Sequence, residues 1–210
     1  MFSKHRLEAL SDGVFAIVMT LLILDIKVPL GVAPGALGAA LAQDGHAWVS
    51  FVVTFLISSI FWNLQRKVFE LVDEMTSESL ALTFVFLGLV TVLPFSTSLW
   101  GHYIRERLAF VLYFSNQLTI AIVLTAKLEI SRLRGQLHHG PEAGDLRLRL
   151  YMMCAVMASA AIGALVLPMN QVWVAPLILG VAARITRTVQ TRRVKAAAVV
   201  IQSNKEENLP

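Results

Sequence analysis

Long apolar runs alternate along this chain with short segments that are polar or rich in Gly and Pro. A membrane-crossing helix needs about 20 mostly apolar residues. Five runs fit that length, approximately residues 47–64, 80–99, 108–128, 150–167 and 172–183. The last is short, but Arg184 and Arg187 extend it, since their aliphatic stems lie along apolar surface while the guanidinium reaches water. A sixth run, residues 10–28, comes first and is interrupted by Asp12, Asp25 and Lys27. Between the runs lie a loop with Pro29 and Pro34, a charged segment from Gln65 to Ser79, a short link from Gly101, a basic loop marked by His138, His139, Gly140 and Pro141, and a tight turn at Pro168. The pattern predicts an all-α polytopic membrane protein with six transmembrane helices. It divides the chain into a transmembrane domain, residues 1–195, and a polar cytoplasmic tail, residues 196–210.

Composition narrows the class further. Of 210 residues 56% are hydrophobic and 15% are charged, against about 25% charge in a soluble domain. So few charges do not cover a water-soluble surface. The single cysteine, Cys154, excludes an intramolecular disulfide. The net charge of +4 raises nucleic acid as a partner, but its distribution answers a different question. With the N-terminus placed inside, fifteen of the 18 Lys and Arg residues fall on the inner side, and only Lys27, Arg105 and Arg107 fall outside. Basic residues concentrate on the cytoplasmic side of membrane proteins. An even number of spans then puts both termini in the cytoplasm. The reading implies a bilayer partner and no nucleic acid. The opening MFSKHR and the apolar stretch after it also resemble a signal peptide, with AALAQ as the cleavage site. Asp12 at the head of the apolar region, and the distance of AALAQ from it, argue against cleavage.

The first helix carries the candidate chemistry. Charge inside a membrane is expensive and turns toward protein or water. At about 100° per residue, Gly13, Ile17, Leu21, Leu24 and Val28 fall on one stripe, with Thr20 at its edge. The stripe suits packing on a neighbouring helix and also suits the lining of a symmetric pore. Spacing alone favours packing. Asp12 lies about 140° from Ile17 and Asp25 about 80° from it. Asp12 has a structural reading, pairing with Arg6 or helping Ser11 cap the helix, which is favoured over drawing cations to an inner mouth. For Asp25 an acidic outer vestibule and pairing with a nearby basic group stay equally open.

The run RLEALSDGVFAIVMTLLILDIKVP, residues 6–29, resembles the first helix of the transmembrane protein 175 family of potassium channels. That family's helix carries an Arg-x-x-x-Phe-Ser-Asp motif. Arg6, Ser11 and Asp12 are in register with it, and Leu10 stands where the family usually has Phe. Trp62 and the LPFSTSLW run add looser likeness. Gln65 and Arg66 stand near where the family often has histidines, so no role of those histidines carries over. The resemblance implies a potassium-selective channel in the bacterial inner membrane. It implies a homotetramer with the first helices around its axis. Ile17 then corresponds to the narrow hydrophobic constriction or gate, Leu21 and Leu24 to further apolar pore layers, and Thr20 to a hydroxyl layer. The permeant ion is potassium, with no cofactor and no metal site beyond it.

Other polar residues point elsewhere. No TVGYG carbonyl filter is present in the sequence. His138 and His139 are adjacent on a loop without a carboxylate or Cys cluster, a poor chelating set. Asn116, Gln117, Ser96 and Ser159 read as helix-to-helix glue. Trp48, Trp100 and Trp173 read as an outer aromatic belt. A secondary transporter is the alternative function, but no paired halves stand out. An enzyme would need convergent nucleophile, base or metal ligands, and the sequence offers no such set.

Overall fold

The computed structural model describes residues 3–72, 76–137 and 141–168. The order is α1 (Lys4–Leu21), a 3-10 turn (Leu22–Asp25), α2 (Leu37–Gln43), α3 (Gly45–Leu71), α4 (Ser77–Thr91), α5 (Leu93–His102), α6 (Arg107–Leu133) and α7 (Pro141–Val166). Among the described residues five stretches are long and apolar enough to cross a membrane: Lys4–Asp25, Gly45–Leu71, Ser77–His102, Arg107–Leu133 and Ala143–Val166. They correspond to the first five expected runs. The last run, residues 172–183, and the tail, residues 196–210, lie outside the described residues, as do His138, His139 and Trp173.

The helices outrun the apolar segments that announce them. α1 begins at Lys4 rather than Leu10, because RLEALS is made of helix formers that continue the buried face through Leu7 and Ser11. α3 runs on to Leu71, so Gln65 and Arg66 are helical and not in a loop. α6 and α7 likewise extend into the expected basic loop. There Glu129 accepts from Arg132 at 2.7 Å, Arg147 at 2.6 Å and Tyr151 at 3.1 Å, which ties the two helices together. The third run is broken. Pro94 lacks the N–H that a continuous helix needs, so α4 closes at Val92 and α5 restarts with Pro94 in its first turn. Opposite it, α4 opens on Thr76, whose hydroxyl accepts from the Ser79 N–H. The short α2 falls where a loop is expected.

Two buried clusters hold the bundle. One gathers Phe15 and Val18 of α1, Phe61, Leu64 and Val68 of α3, Phe86 and Val90 of α4, and Ile120, Leu124 and Leu128 of α6. The other packs Trp100, Phe110, Tyr113 and Phe114 against Ala160, Ala161 and Ala164 of α7. Small residues on α7 let the aromatic rings approach its backbone, the usual device of membrane helix pairs. Trp100 is therefore interior, stacked 4.6 Å from Tyr113, and is not part of an outer belt. Trp48, by contrast, is exposed. The Tyr113 hydroxyl meets Thr54 at 2.9 Å, and Thr97 donates to Thr54 at 3.0 Å. Asn116 donates to Ser96, in line with the expected glue. Gly101 of α5 lies against α3, where an added Cβ would meet Ser50 Oγ at 2.6 Å and Ala47 Cα at 3.6 Å.

The two ends of the bundle differ in charge. At one end Lys4 donates to the Val72 carbonyl at 2.8 Å, Arg134 pairs with Glu78, and Arg147 pairs with Glu129. At the other, Arg107 donates to the Leu165 carbonyl at 2.7 Å.

Candidate functional site

The two faces of α1 have different surroundings. Leu7, Ser11, Phe15 and Val18 are buried, and Leu22 continues that face into the 3-10 turn. Phe15 packs on Phe86 with ring centroids 5.9 Å apart. The opposite stripe is open. Ile17 is 61% exposed and Leu24 63%, with Leu21 at 43%. Thr20 is exposed as well, and a Cβ at Gly13 would meet nothing within 4 Å. Packing of this stripe on a helix of the same chain, the reading that spacing alone favours, does not occur among the described residues.

Thr20 donates its hydroxyl proton to the Ile17 carbonyl at 2.8 Å. That bond consumes the donor and leaves oxygen lone pairs on the exposed side, the polarity a cation needs. Leu24 sits in the 3-10 turn, and the chain becomes extended at Ile26. Val28 therefore stands beyond the helix, 78% exposed, and shares the stripe in sequence but not on a helical surface.

The motif residues are placed differently from the capping scheme. Because α1 starts at Lys4, Ser11 and Asp12 lie two turns inside it, and neither caps anything. The N-cap is Ser3, without a side-chain hydrogen bond. Asp12 does not pair with Arg6, which is exposed; its Oδ1 accepts from the indole N–H of Trp62 on α3 at 2.8 Å. At the far end Asp25 Oδ1 accepts from the Ser98 hydroxyl at 2.7 Å, and its Oδ2 lies 3.7 Å from His102 Nδ1. The two carboxylates thus tie α1 to α3 at one level and to α5 at the other. They fix the rotation of the helix, and with it the direction in which Ile17 faces.

Sequence reasoning missed Trp62, Ser98 and His102 as partners. They lie 50, 73 and 77 positions from the acids they meet, and no local pattern announces such pairs. It also missed a cavity of about 220 Å³ beside Asp12, between α1 and α3, whose walls include Glu8, Ser11, Gln65 and Phe69. No group of three or more His, Cys, Asp or Glu residues suited to a metal ion occurs among the described residues.

Comparison with known proteins places this arrangement. The family model described as "Endosomal/lysosomal potassium channel TMEM175" matches residues 6–94, from Arg6 of α1 to Pro94 of α5. A potassium channel of Streptomyces collinus is 42% identical over 106 residues, 50% of this chain and 52% of that protein. One of Chamaesiphon minutus is 35% identical over 123 residues, 56% of this chain and 61% of that protein. The chain thus spans only about half to three-fifths of the length of these relatives. The crystal structure of a lysosomal potassium-selective channel TMEM175 homolog from Chamaesiphon minutus superposes with TM-score 0.73 at 27% identity, over 87% of this chain and 95% of that one.

Proposed function

We propose that this chain, whose residues 6–94 match the TMEM175 family model, is a potassium-selective cation channel whose pore is lined by α1. The observation that carries the proposal is the open stripe on a helix whose rotation is locked. Ile17, Leu21 and Leu24 face away from the other described helices while Asp12 and Asp25 are bound to α3 and α5. One such helix cannot enclose a path. Four copies around an axis enclose one, with Ile17 at the constriction, the Thr20 hydroxyls beside it, and Leu21 and Leu24 as further apolar layers. Arg6, Ser11 and Asp12 are the supporting motif. Asp25, bound to Ser98 and near His102, stands at the outer mouth.

A ring of branched aliphatic side chains offers no ligands, so an ion crosses it at a dehydration cost, and a narrow ring dewets and closes. Potassium holds water less tightly than sodium and is disfavoured less. Four Thr20 oxygens lower the cost next to the ring. Selectivity from this device is modest compared with a carbonyl filter. The proposed setting is the bacterial inner membrane with both termini cytoplasmic, supported by the basic asymmetry. A Ser203→Cys variant should be labelled from the inside and not in intact cells.

Bilayer recordings of purified protein test the pore. Ile17→Asn should hydrate the ring, raise conductance and move the reversal potential toward loss of discrimination between potassium and sodium. A variant that assembles as a tetramer yet conducts and discriminates as the wild type does would remove α1 from the permeation path. Native mass spectrometry that stops at a dimer would leave no ring at all.

A further inference from the structure

Ser11 and Asp12 of the motif are both placed against the bundle: Ser11 is buried, and Asp12 accepts from Trp62. Arg6 is not. It is exposed, and its side chain makes no hydrogen bond or ion pair among the described residues. Other basic side chains near it are engaged. Lys4 donates to the Val72 carbonyl at 2.8 Å, and Arg66 pairs with Glu70 at 2.6 Å.

The place of Arg6 on the wheel is specific. Eleven positions separate it from Ile17, so at about 100° per residue the two fall within about 20° of one line. Leu10 lies about 20° to the other side of that line, and Gly13 about 40° from it. Leu10 is 43% exposed, and a Cβ at Gly13 would meet nothing within 4 Å. The open stripe of α1 therefore runs on from Ile17 toward the N-terminus and ends on a guanidinium, about 16 Å away along the axis at about 1.5 Å per residue. Side chains on a helix lean toward its N-terminus, so Arg6 leads away from Ile17. No carboxylate of α1 shares the line. Glu8 lies about 180° from Ile17 and Asp12 about 140°. Glu8 has His5 at 4.0 Å and lines the cavity toward α3. Asp25, about 80° from the line, stands at the opposite end and is bonded to Ser98. One stripe thus ends on a positive charge and has its nearest negative charge at the far end.

We propose that Arg6 sets the entrance barrier at the inner mouth of the pore: four guanidiniums, one from each copy, ring that mouth and make the channel pass potassium inward more readily than outward. The inference rests on the reading of α1 as the pore helix. A positive mouth lowers the local concentration of cations, the reverse of the focusing that a cleft of opposite charge produces. Outward current draws its ions through that mouth and is reduced. Inward current only discharges through it and is reduced less. The Debye length is about 10 Å at 0.1 M salt and about 3 Å at 1 M, so the asymmetry belongs to the lower salt.

Inside-out patches from cells expressing the full chain, in symmetric potassium chloride, provide the test. At about 0.1 M the wild type should carry inward current about twofold larger than outward at equal and opposite voltages, and at about 1 M the two should converge. Arg6→Gln should be symmetric at both salts, and Arg6→Glu should favour outward current at the lower one. Arg6→Lys, which keeps the charge but not the guanidinium, should behave as the wild type. Symmetric wild-type current at the lower salt overturns the proposal, and that is the result if a carboxylate of a neighbouring copy neutralises Arg6. An asymmetry of the opposite sense overturns it as well, as does one that survives in Arg6→Gln or is lost in Arg6→Lys. Should Arg6→Gln fail to assemble, the wild-type salt series decides: an asymmetry that the higher salt does not diminish is not electrostatic and overturns the proposal. The pore reading fails separately, on an Ile17→Asn channel that permeates as the wild type does. If Ile17→Asn changes permeation while the Arg6 variants leave the asymmetry as it was, only the present inference falls.

Discussion

On α1, Phe15 and Val18 are 1% and 3% exposed, while Ile17 between them is 61% exposed. All three are bulky and apolar, so residue type does not separate the two faces. In a bilayer the surroundings are also apolar, and burying such a side chain gains little from leaving water. The inner face is distinguished by interlocking shape: Phe15 against Phe86, with Val18 and Leu22 continuing the contact. The outer face has no partner among the described residues, and two of its positions, Gly13 and Thr20, are small or hydroxyl-bearing. One face holds the helix in place, and the other is left to whatever surrounds it.

Substitutions across this divide should behave oppositely. The largest loss of stability is expected for Phe15→Ala, which opens a cavity against Phe86. The cost in water-soluble cores is about 3–5 kcal/mol, and here it should sit near the low end, since the lipid reference removes part of the transfer term. Unfolding in mixed micelles measures it. A loss no greater than that of Ile17→Ala would erase the distinction between the faces. Next is Trp62→Phe, which keeps the ring but takes the indole N–H from Asp12. It should cost about 1–2 kcal/mol, as hydrogen bonds to charged groups do when partly exposed, and should loosen the rotation of α1, seen as faster amide exchange in its first three turns. Unchanged exchange would show that the Asp12 contact does not fix the helix. The smallest stability effect, within about 0.5 kcal/mol, is expected for Thr20→Val. Its readout is permeation: potassium conductance should fall without a change in assembly. A conductance equal to that of the wild type would show that the hydroxyl layer does not serve the ion.

Much of this division is readable from the chain. The wheel puts Ile17 and Leu21 on one stripe, about 160° and 120° from Phe15, and the structure buries Phe15 while it leaves the stripe exposed. What the wheel lacks is the neighbour. It assigns Asp12 to Arg6 because six positions are near in sequence, whereas Trp62 is near only once α3 has folded against α1. Asp25 meets Ser98 for the same reason. The break at Val92 was readable in principle from Pro94, but a strong apolar run on both sides masks the missing N–H. Trp100 misleads because its position near the end of a span matches an interfacial residue, while its stacking on Tyr113 depends on α6.

The absent side chain at Gly101 acts as a spacer of zero thickness between α3 and α5. A methyl group there would press on the Ser50 hydroxyl, while Ala47 Cα at 3.6 Å would be in ordinary contact. The strain is relieved either by the Ser50 hydroxyl giving up its 2.9 Å bond to the Ala47 carbonyl or by a shift of α5, which carries Ser98 less than one turn before this position and His102 immediately after it. Where α5 shifts, both draw back from Asp25, so a single added carbon on one helix loosens the far end of another. The alignment of α1 is in that sense a tolerance set at position 101, and Gly101→Ala should show itself first in the Asp25–Ser98 distance.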